Sequence, residues 1–509
     1  MAAVAVALGW PWLLPRSTPL PPGVNLAGPP RPTGAAGVRL LADSTVWDPE
    51  AGVRVCRQEI FDEMLRSIRE ADGFIVADFF LWNDWQGAVP ERHRALSSEF
   101  AAALLEKKRA CPNLPILVLT DPLNRLYGEP EAAATAGLAQ AGVRVIYTDL
   151  FRLRDSNLLY GPPVHAFCHL FGGLFAHAGW LDRPRFANPF RTDGPRLSLR
   201  QMSRLLLFKA NHRKVLLTGG ADGQARLLVT SLNPADASSA HSNLGLAAGG
   251  EVARDALASE LSVMEWSLAG AYAPPPEQAQ AAGREVAEVR RRFAQAIALP
   301  EPPVPGAPTV QWLTEGAIRE RVLAMLDGAA VDDEVRIALF YLSDRATIEA
   351  MKRAAGRGAW LRLILDFNRD AFGRTKNGIP NRVVAAELLE AGRRADAHIE
   401  IRWADTHGEQ FHPKAMSVRG RHGHKFQLLC GSANWTRRNL ANINLEADLC
   451  VENEPGVTGT FNAWFDRAWG NTDGRIHTVL GQEQPGSPWN RFYRRWLYRF
   501  QESLGAGTF

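Results

Sequence analysis

Lysine is scarce in this chain: of 58 basic residues only 8 are lysine, against 50 arginines. A motif that insists on lysine therefore carries more information than usual. Cysteine is scarcer still. Cys56, Cys111, Cys168, Cys430 and Cys450 are odd in number, widely spread and without a Cys-x-x-Cys pair, which argues against a disulfide framework and a structural zinc site. No apolar run reaches the roughly 18–20 residues of a spanning helix. The charge excess is small, 58 − 54 = +4, too little for nonspecific nucleic-acid binding to be read from charge alone. What is present is ordinary globular composition, 46% hydrophobic and 22% charged, which excludes a disordered or fibrous chain. A length of 509 residues predicts two to four domains.

The N-terminus, Met1 to Pro15, is apolar and followed by Arg16. It lacks a basic residue before the apolar run and is interrupted by Pro11. A signal peptide or short anchor and a disordered apolar leader are both open readings. Proline-rich sequence to Pro32 sets this leader, 1–37, apart from the folded units.

The organising feature is an internal repeat. An amphipathic helix (Ile60 to Ala71) leads into GFIVADFFLW, Gly73 to Trp82; a second (Ile318 to Leu326) leads into EVRIALFYLS, Glu334 to Ser343. Buried-strand runs ending in Asp follow in each half, at Asp121 and Asp366, then at Asp149 and Asp405. Helices alternating with short apolar strands predict an α/β sheet in each half. Two homologous α-β-α sandwich domains are expected, at 38–270 and 308–475, separated by a Pro-rich linker with one helix, 271–307, and followed by a tail, 476–509. Spacing places an insertion at about 152–209 in the first half.

Each half then carries His-x-Lys: His212/Lys214 and His412/Lys414. Chance supplies roughly 0.2 such pairs in the whole chain. Strand alternation projects residues i and i+2 to one side, so each pair is expected to enter one cleft. Small-residue segments with an amide follow, Thr230 to Asn233 and Gly431 to Asn434. On spacing alone Asn243 matches Asn444, and Gly245 stands where the second copy has Glu446. Two histidines, two lysines and two asparagines suit a phosphate-like anion held between imidazoles, one attacking phosphorus while the other delivers a proton. No metal or cofactor is expected. His165, His169 and His177 offer a helix-face ligand spacing, but no carboxylate completes it nearby.

The arrangement resembles the phospholipase D superfamily, whose signature is His-x-Lys, four residues, Asp, then Gly-Ser-x-Asn with a later Asn and Glu. The chain departs from it where Gly219 and Arg419 replace the Asp, and at Thr230 and Gly245. The resemblance implies two phospholipase D-like domains packed around one shared active site. It implies His212 as nucleophile, His412 as general acid/base, and Glu446 orienting one histidine. Lys214, Lys414, Asn233 and Asn434 would complete the catalytic set, with Ser231, Ser432 and Gly431 binding substrate. It also implies phosphatidyl transfer or hydrolysis on membrane phospholipids, as in cardiolipin synthases, through a phosphohistidine, with an alcohol or water as acceptor. A nuclease of the same family and a catalytically silent membrane-binding scaffold are the alternatives; a nucleic-acid partner fits less well than an anionic membrane surface.

Two segments favour that surface. The insertion includes the apolar, glycine-containing run Leu158 to Leu181, a candidate mouth for lipid tails or a buried helical pair. The tail spaces Trp489, Phe492, Tyr493, Trp496, Leu497, Phe500 and Leu504 helically, with Arg491, Arg494, Arg495 and Arg499 on other faces or the edges, which suits either the headgroup layer of an anionic membrane or a helix docked on the protein. A bacterial membrane-associated protein, peripheral or with a short N-terminal anchor, is the expectation.

Overall fold

The computed structural model describes residues 19–33, 37–85, 94–126, 135–156, 179–188, 195–220, 223–294, 304–368, 370–371, 374–375, 377–421, 423, 425–481 and 488–504. These residues build two large mixed sheets. The first runs, edge to edge, β3 (Val53–Gln58), β2 (Arg39–Asp48), β9 (Asn243–Gly249), β8 (Ala225–Thr230), β7 (Lys214–Gly219), β4 (Phe74–Phe79), β5 (Ile116–Thr120) and β6 (Arg144–Tyr147). The second runs β1 (Arg31–Pro32), β10 (Thr309–Thr314), β18 (Ala447–Glu452), β17 (Phe426–Gly431), β16 (Lys414–Arg419), β11 (Glu334–Leu339), β12 (Trp360–Leu365), β15 (Ile399–Ala404) and β19 (Thr478–Val479). A small hairpin, β13 (Asp370–Ala371) with β14 (Arg374–Thr375), belongs to neither.

The sheets share one plan: β4-β5-β6 and β11-β12-β15 are parallel runs joined to antiparallel partners, β7-β8-β9 and β16-β17-β18. Parallel strands buried on both faces need no alternation, which is why ILVLT in β5 is wholly buried. Each sheet packs helices on its outer face. In the first lobe, helix Glu59–Glu70 buries Ile60, Phe61, Met64 and Ile68, one stripe at helical spacing. The inner faces meet in a common core, where Val215, Leu217 and Val229 join Ala415, Leu428 and Leu449. The linker helix, Pro276–Phe293, packs through Val286, Val289 and Phe293 into that core; the Phe293 ring is 4.7 Å from Phe74 of the first lobe.

The N-terminal segment differs from its reading as a leader through residue 37. Residues 19–33 are threaded between the lobes: Arg31 and Pro32 pair with β10, Gly28 N donates to Trp312 O, and Arg31 forms ion pairs with Asp255 and Glu251. Gly23 adopts φ +85°, and a Cβ there would sit 2.6 Å from Ser259 O, so the close passage requires glycine. Residues 1–18 lie outside the described residues, as does most of the apolar run in the insertion, with His165, Cys168, His169 and His177. The ends of the insertion are described. Lys209 Nζ donates to Leu153 O at 2.7 Å and pairs with Asp155 at 2.8 Å, closing its base next to His212.

Candidate active site

Each histidine sits just before its lysine strand, on a segment that crosses to the other lobe. His212 N donates to Leu445 O, and His412 N donates to Ser242 O, both at 2.9 Å. The alternation argument is therefore modified: β7 and β16 begin at the lysines, and cross-lobe bridges hold the histidines. The aspartates ending β5 and β12 fix the same segments from below. Asp121 Oδ2 accepts from Asn211 N at 2.7 Å, and Asp366 Oδ2 accepts from Phe411 N at 2.8 Å.

Each imidazole lies against a polar side chain of the other lobe. His212 Nδ1 lies 2.8 Å from Glu446 Oε1, and His412 Nδ1 lies 3.1 Å from Asn243 Oδ1. Glu446 also accepts from Ser432 Oγ at 2.5 Å and from Asn439 Nδ2. Asn243 Oδ1 accepts from Ser231 Oγ at 3.1 Å. The two serine hydroxyls, expected to bind substrate, are thus committed to the partners of the histidines, and each also accepts a backbone N–H, from Leu244 and Ala447.

These bonds correct the register read from spacing. Ser231 faces Leu244, whereas Ser432 faces Ala447; the late strands are therefore offset by 447 − 244 = 203 residues rather than 201. Asn243 is the counterpart of Glu446, Gly245 of Asp448, and His241 of Asn444. The last pair has matching roles: Asn444 Oδ1 accepts from Ala210 N, and His241 Nδ1 accepts from Gln410 N, each at 3.1 Å. Two departures from the family signature then explain one another. A Cβ on Gly431 would meet Asp448 Oδ1 at 2.3 Å, and a Cβ on Gly245 would meet Thr230 at 3.0 Å. Where one lobe pairs Gly431 with Asp448, the other pairs Thr230 with Gly245. Asp448 Oδ1 accepts from Ala433 N, and Thr230 Oγ1 accepts from Leu232 N.

The missing signature aspartates are also accounted for. Gly219 and Arg419 stand at the far ends of β7 and β16, about 16 Å along the strand from the lysines. The lysines themselves are fully buried. Lys214 Nζ donates to His212 O at 2.7 Å and Lys414 Nζ to His412 O at 2.8 Å. Each ammonium lies 5.4 Å from a phenylalanine ring, Phe80 or Phe340, and the same rings lie 5.0 and 4.9 Å from His212 and His412. Asn233 accepts from Leu81 N at 3.1 Å, which leaves its amide nitrogen as the donor end. Asn434 is buried in the matching position.

The electrostatics suit an incoming anion. Burial, then the charges of Lys214, Lys414 and Arg438, hold His212 well below the usual imidazole range, opposed by the Ser432 carbonyl. Burial, Lys414 and His241 do the same to His412. Burial lowers Lys214 to about 7 and Lys414 well below its ordinary value, and pushes the Glu446 carboxyl up against the pull of Lys214, Ser432 and Asn439. Burial and the neighbouring cations thus favour the uncharged form of both rings, and in each Nε2 is the ring nitrogen that does not face the cross-lobe partner. Three residues escaped sequence reasoning. Arg438 is buried, 5.6 Å over Phe208; the His241 ring lies 6.0 Å from His412; and Glu315 joins Arg213 to the backbone of Glu446. Only Arg213 carried a hint, as the x of His-x-Lys. Among the described residues no group of three metal-ligating side chains forms.

The two His-x-Lys segments, each held by the other lobe, lie within electrostatic reach of one another, a duplicated two-lobed architecture. Residues 322–469 match the family described as cardiolipin synthase, PLD-like domain. The fold resembles phosphatidylserine synthase from Haemophilus influenzae Rd KW20, at 11% identity and TM-score 0.54, covering 94% of this chain and 97% of that one. Weaker likenesses are to polyphosphate kinase from Porphyromonas gingivalis (12% identity, TM-score 0.44, 92% and 54% covered) and to a phospholipase D family member, Nuc, from Salmonella typhimurium (18%, 0.26, 34% and 99%). No curated protein matches the chain by sequence. The family match lies within the second lobe, and across the chain the two-lobed fold is that of the phosphatidylserine synthase.

Proposed function

We propose that this protein is a phosphatidyltransferase or phosphodiesterase of membrane phospholipids, of the cardiolipin synthase-like kind, working through a phosphohistidine on His212. The observation that supports it best is the unequal, reciprocal grip on the two rings: a carboxylate on His212, a neutral amide on His412. A carboxylate at Nδ1 favours the ring that must gain positive character on bonding to phosphorus.

In the first step His212 Nε2 attacks phosphorus and the bond to the leaving alkoxide breaks, the alkoxide taking a proton from His412. The diester's own negative charge, bound beside Lys214 and Lys414, raises the proton affinity of His412, which takes up a proton from solvent as the substrate binds and holds it for the leaving alkoxide. In the second step His412 removes a proton from an alcohol or water. The resulting oxygen nucleophile displaces His212 and restores both rings. The lysines, with the amides of Asn233 and Asn434, stabilise charge on the nonbridging oxygens. Glu446 and Asn243 act as positioning residues, and Ser231 and Ser432 hold them. Association with the membrane, peripheral or through a short N-terminal anchor, is part of this reading; no helix among the described residues is long and apolar enough to cross a membrane.

The test is parallel incubation with phosphatidylglycerol, phosphatidylethanolamine and single-stranded DNA, following products by mass spectrometry. Lipid turnover abolished in both His212→Ala and His412→Ala, with label from the lipid phosphate trapped on His212 in the latter, is the expected result. DNA cleavage without lipid turnover overturns the substrate class; full activity in either variant overturns the site.

A further inference from the structure

The C-terminal helix, Pro488–Leu504, has two opposed faces. At 100° per residue, Tyr498 and Glu502 lie opposite Trp489, Phe492, Tyr493, Trp496 and Phe500. The first face is docked. Tyr498 is buried and donates through its hydroxyl to Ser343 O at 2.8 Å. Glu502 accepts from Ser343 Oγ and from Arg437 N, both at 2.7 Å, and Leu497 packs on the second-lobe core. The second face is bare: its five aromatic side chains are 45–75% exposed. They form a ridge, with ring centroids 5.9 Å apart for Trp489 and Phe492 and 5.2 Å for Trp496 and Phe500.

A continuous aromatic ridge in water marks a surface that meets something apolar. Its flanks say what. Arg499 borders it, with Arg495 next to Arg499 on the turn toward the docked face; neither forms an ion pair among the described residues, while the helix's single acid, Glu502, is spent on docking. A second copy seated on this face would oppose arginine to arginine across a twofold contact. The headgroup layer of an anionic bilayer instead accepts tryptophan and tyrosine at its polar boundary and arginine at its phosphates.

The position matters as much as the chemistry. Ser343 follows Phe340, whose ring lies 4.9 Å from His412, and Arg437 adjoins Arg438, whose charge acts on His212. On the first lobe, Leu206 is 43% exposed beside Phe208, the ring under Arg438. We propose that the Trp489–Phe500 ridge seats the protein on an anionic phospholipid surface and holds the histidine-bearing end of the second lobe against it. This rests on the phospholipid reading above.

The full chain is tested by sedimentation with phosphatidylcholine vesicles, with and without about 30 mol% phosphatidylglycerol. Wild type is expected to bind the anionic vesicles in a salt-sensitive way. Trp489→Ser/Trp496→Ser/Phe500→Ser should weaken that binding by at least about tenfold, while turnover of a soluble short-chain phosphodiester is kept. If the triple variant fails to fold, Arg495→Glu/Arg499→Glu serves, expected to lose the preference for anionic over neutral vesicles. Wild-type-like vesicle binding by a folded variant overturns the proposal, as does a wild-type dimer that the substitutions make monomeric. Anionic-vesicle binding with no lipid turnover by wild type supports the ridge and sinks the phospholipid-transfer reading instead.

Discussion

At the scale of single residues, the two histidines are alike in motif and unlike in company. Glu446 and Asn243 occupy the same place in their lobes, yet only one can carry charge. Adding a carboxylate beside His412 favours its protonated form. Asn243→Asp should therefore shift the alkaline limb of kcat/KM, where the general acid is lost, upward by about one pH unit, read from a pH–rate profile. Glu446→Gln keeps the shape but removes the charge behind the nucleophile. It should lower kcat on the order of 10²–10⁴-fold, with loss of the phosphohistidine burst. His212, His412, Lys214, Lys414, Asn233, Asn434 and Glu446 were all legible from the sequence because two copies of a lysine motif stand out in a lysine-poor chain. His241 was not, and Asn243 was read as the match of Asn444 rather than of Glu446. Both copies place an asparagine 201 residues apart, so spacing favours a register that the strand hydrogen bonds overturn by two residues.

At the scale of elements, the strands around the site were legible because buried parallel strands leave short apolar runs ending in aspartate. The physical use of two of those aspartates, fixing the histidine segments, was not. Nor was the buried cluster behind the site, whose members come from distant parts of the chain. Arg213, fully buried, bonds Glu260, Glu315 and the carbonyl of Gly23. Glu315 sits at φ +44°, a conformation that costs on the order of 1 kcal/mol and is held by bonds from Asn25 N and Glu446 N. Arg213→Met leaves two buried carboxylates without their cation. It should destabilise the protein by roughly 3–5 kcal/mol, measured by urea unfolding. A second element makes a prediction about pH. Asp43 accepts from Ile60 N at the start of helix Glu59–Glu70, and burial raises its carboxyl to about 8. A carboxyl raised on folding stabilises the native state below its unfolded value near 4 and loses that contribution as pH climbs through about 8. Asp43→Asn keeps the acceptor and removes the titration. Its urea midpoint should change less than wild type between pH 5 and pH 8.5 and lie above it at the higher pH.

At the scale of the whole molecule, the common core makes each lobe the other's apolar cover. The inner faces of both sheets, with Val229 and Leu449 among them, belong to one continuous buried cluster, so separating the lobes is expected to expose them. Fragments 1–300 and 301–509 expressed alone should therefore bind a hydrophobic dye and aggregate. Expressed together they should co-purify and recover turnover, a result that size-exclusion chromatography and the lipid assay read directly. The repeat was visible in the sequence. The threading of residues 19–33 between the lobes was not, because an apolar, proline-rich segment without periodicity reads as leader whether or not a groove awaits it.

The unequal grip on the two imidazoles carries an ancestral consequence. A symmetric pair made from two second lobes would set glutamate behind both rings, and one made from two first lobes would leave both with an amide. Neither reproduces the unequal pair of Glu446 beside one ring and Asn243 beside the other, so the halves have ceased to be interchangeable. Joining them in one polypeptide guarantees that every molecule receives one of each.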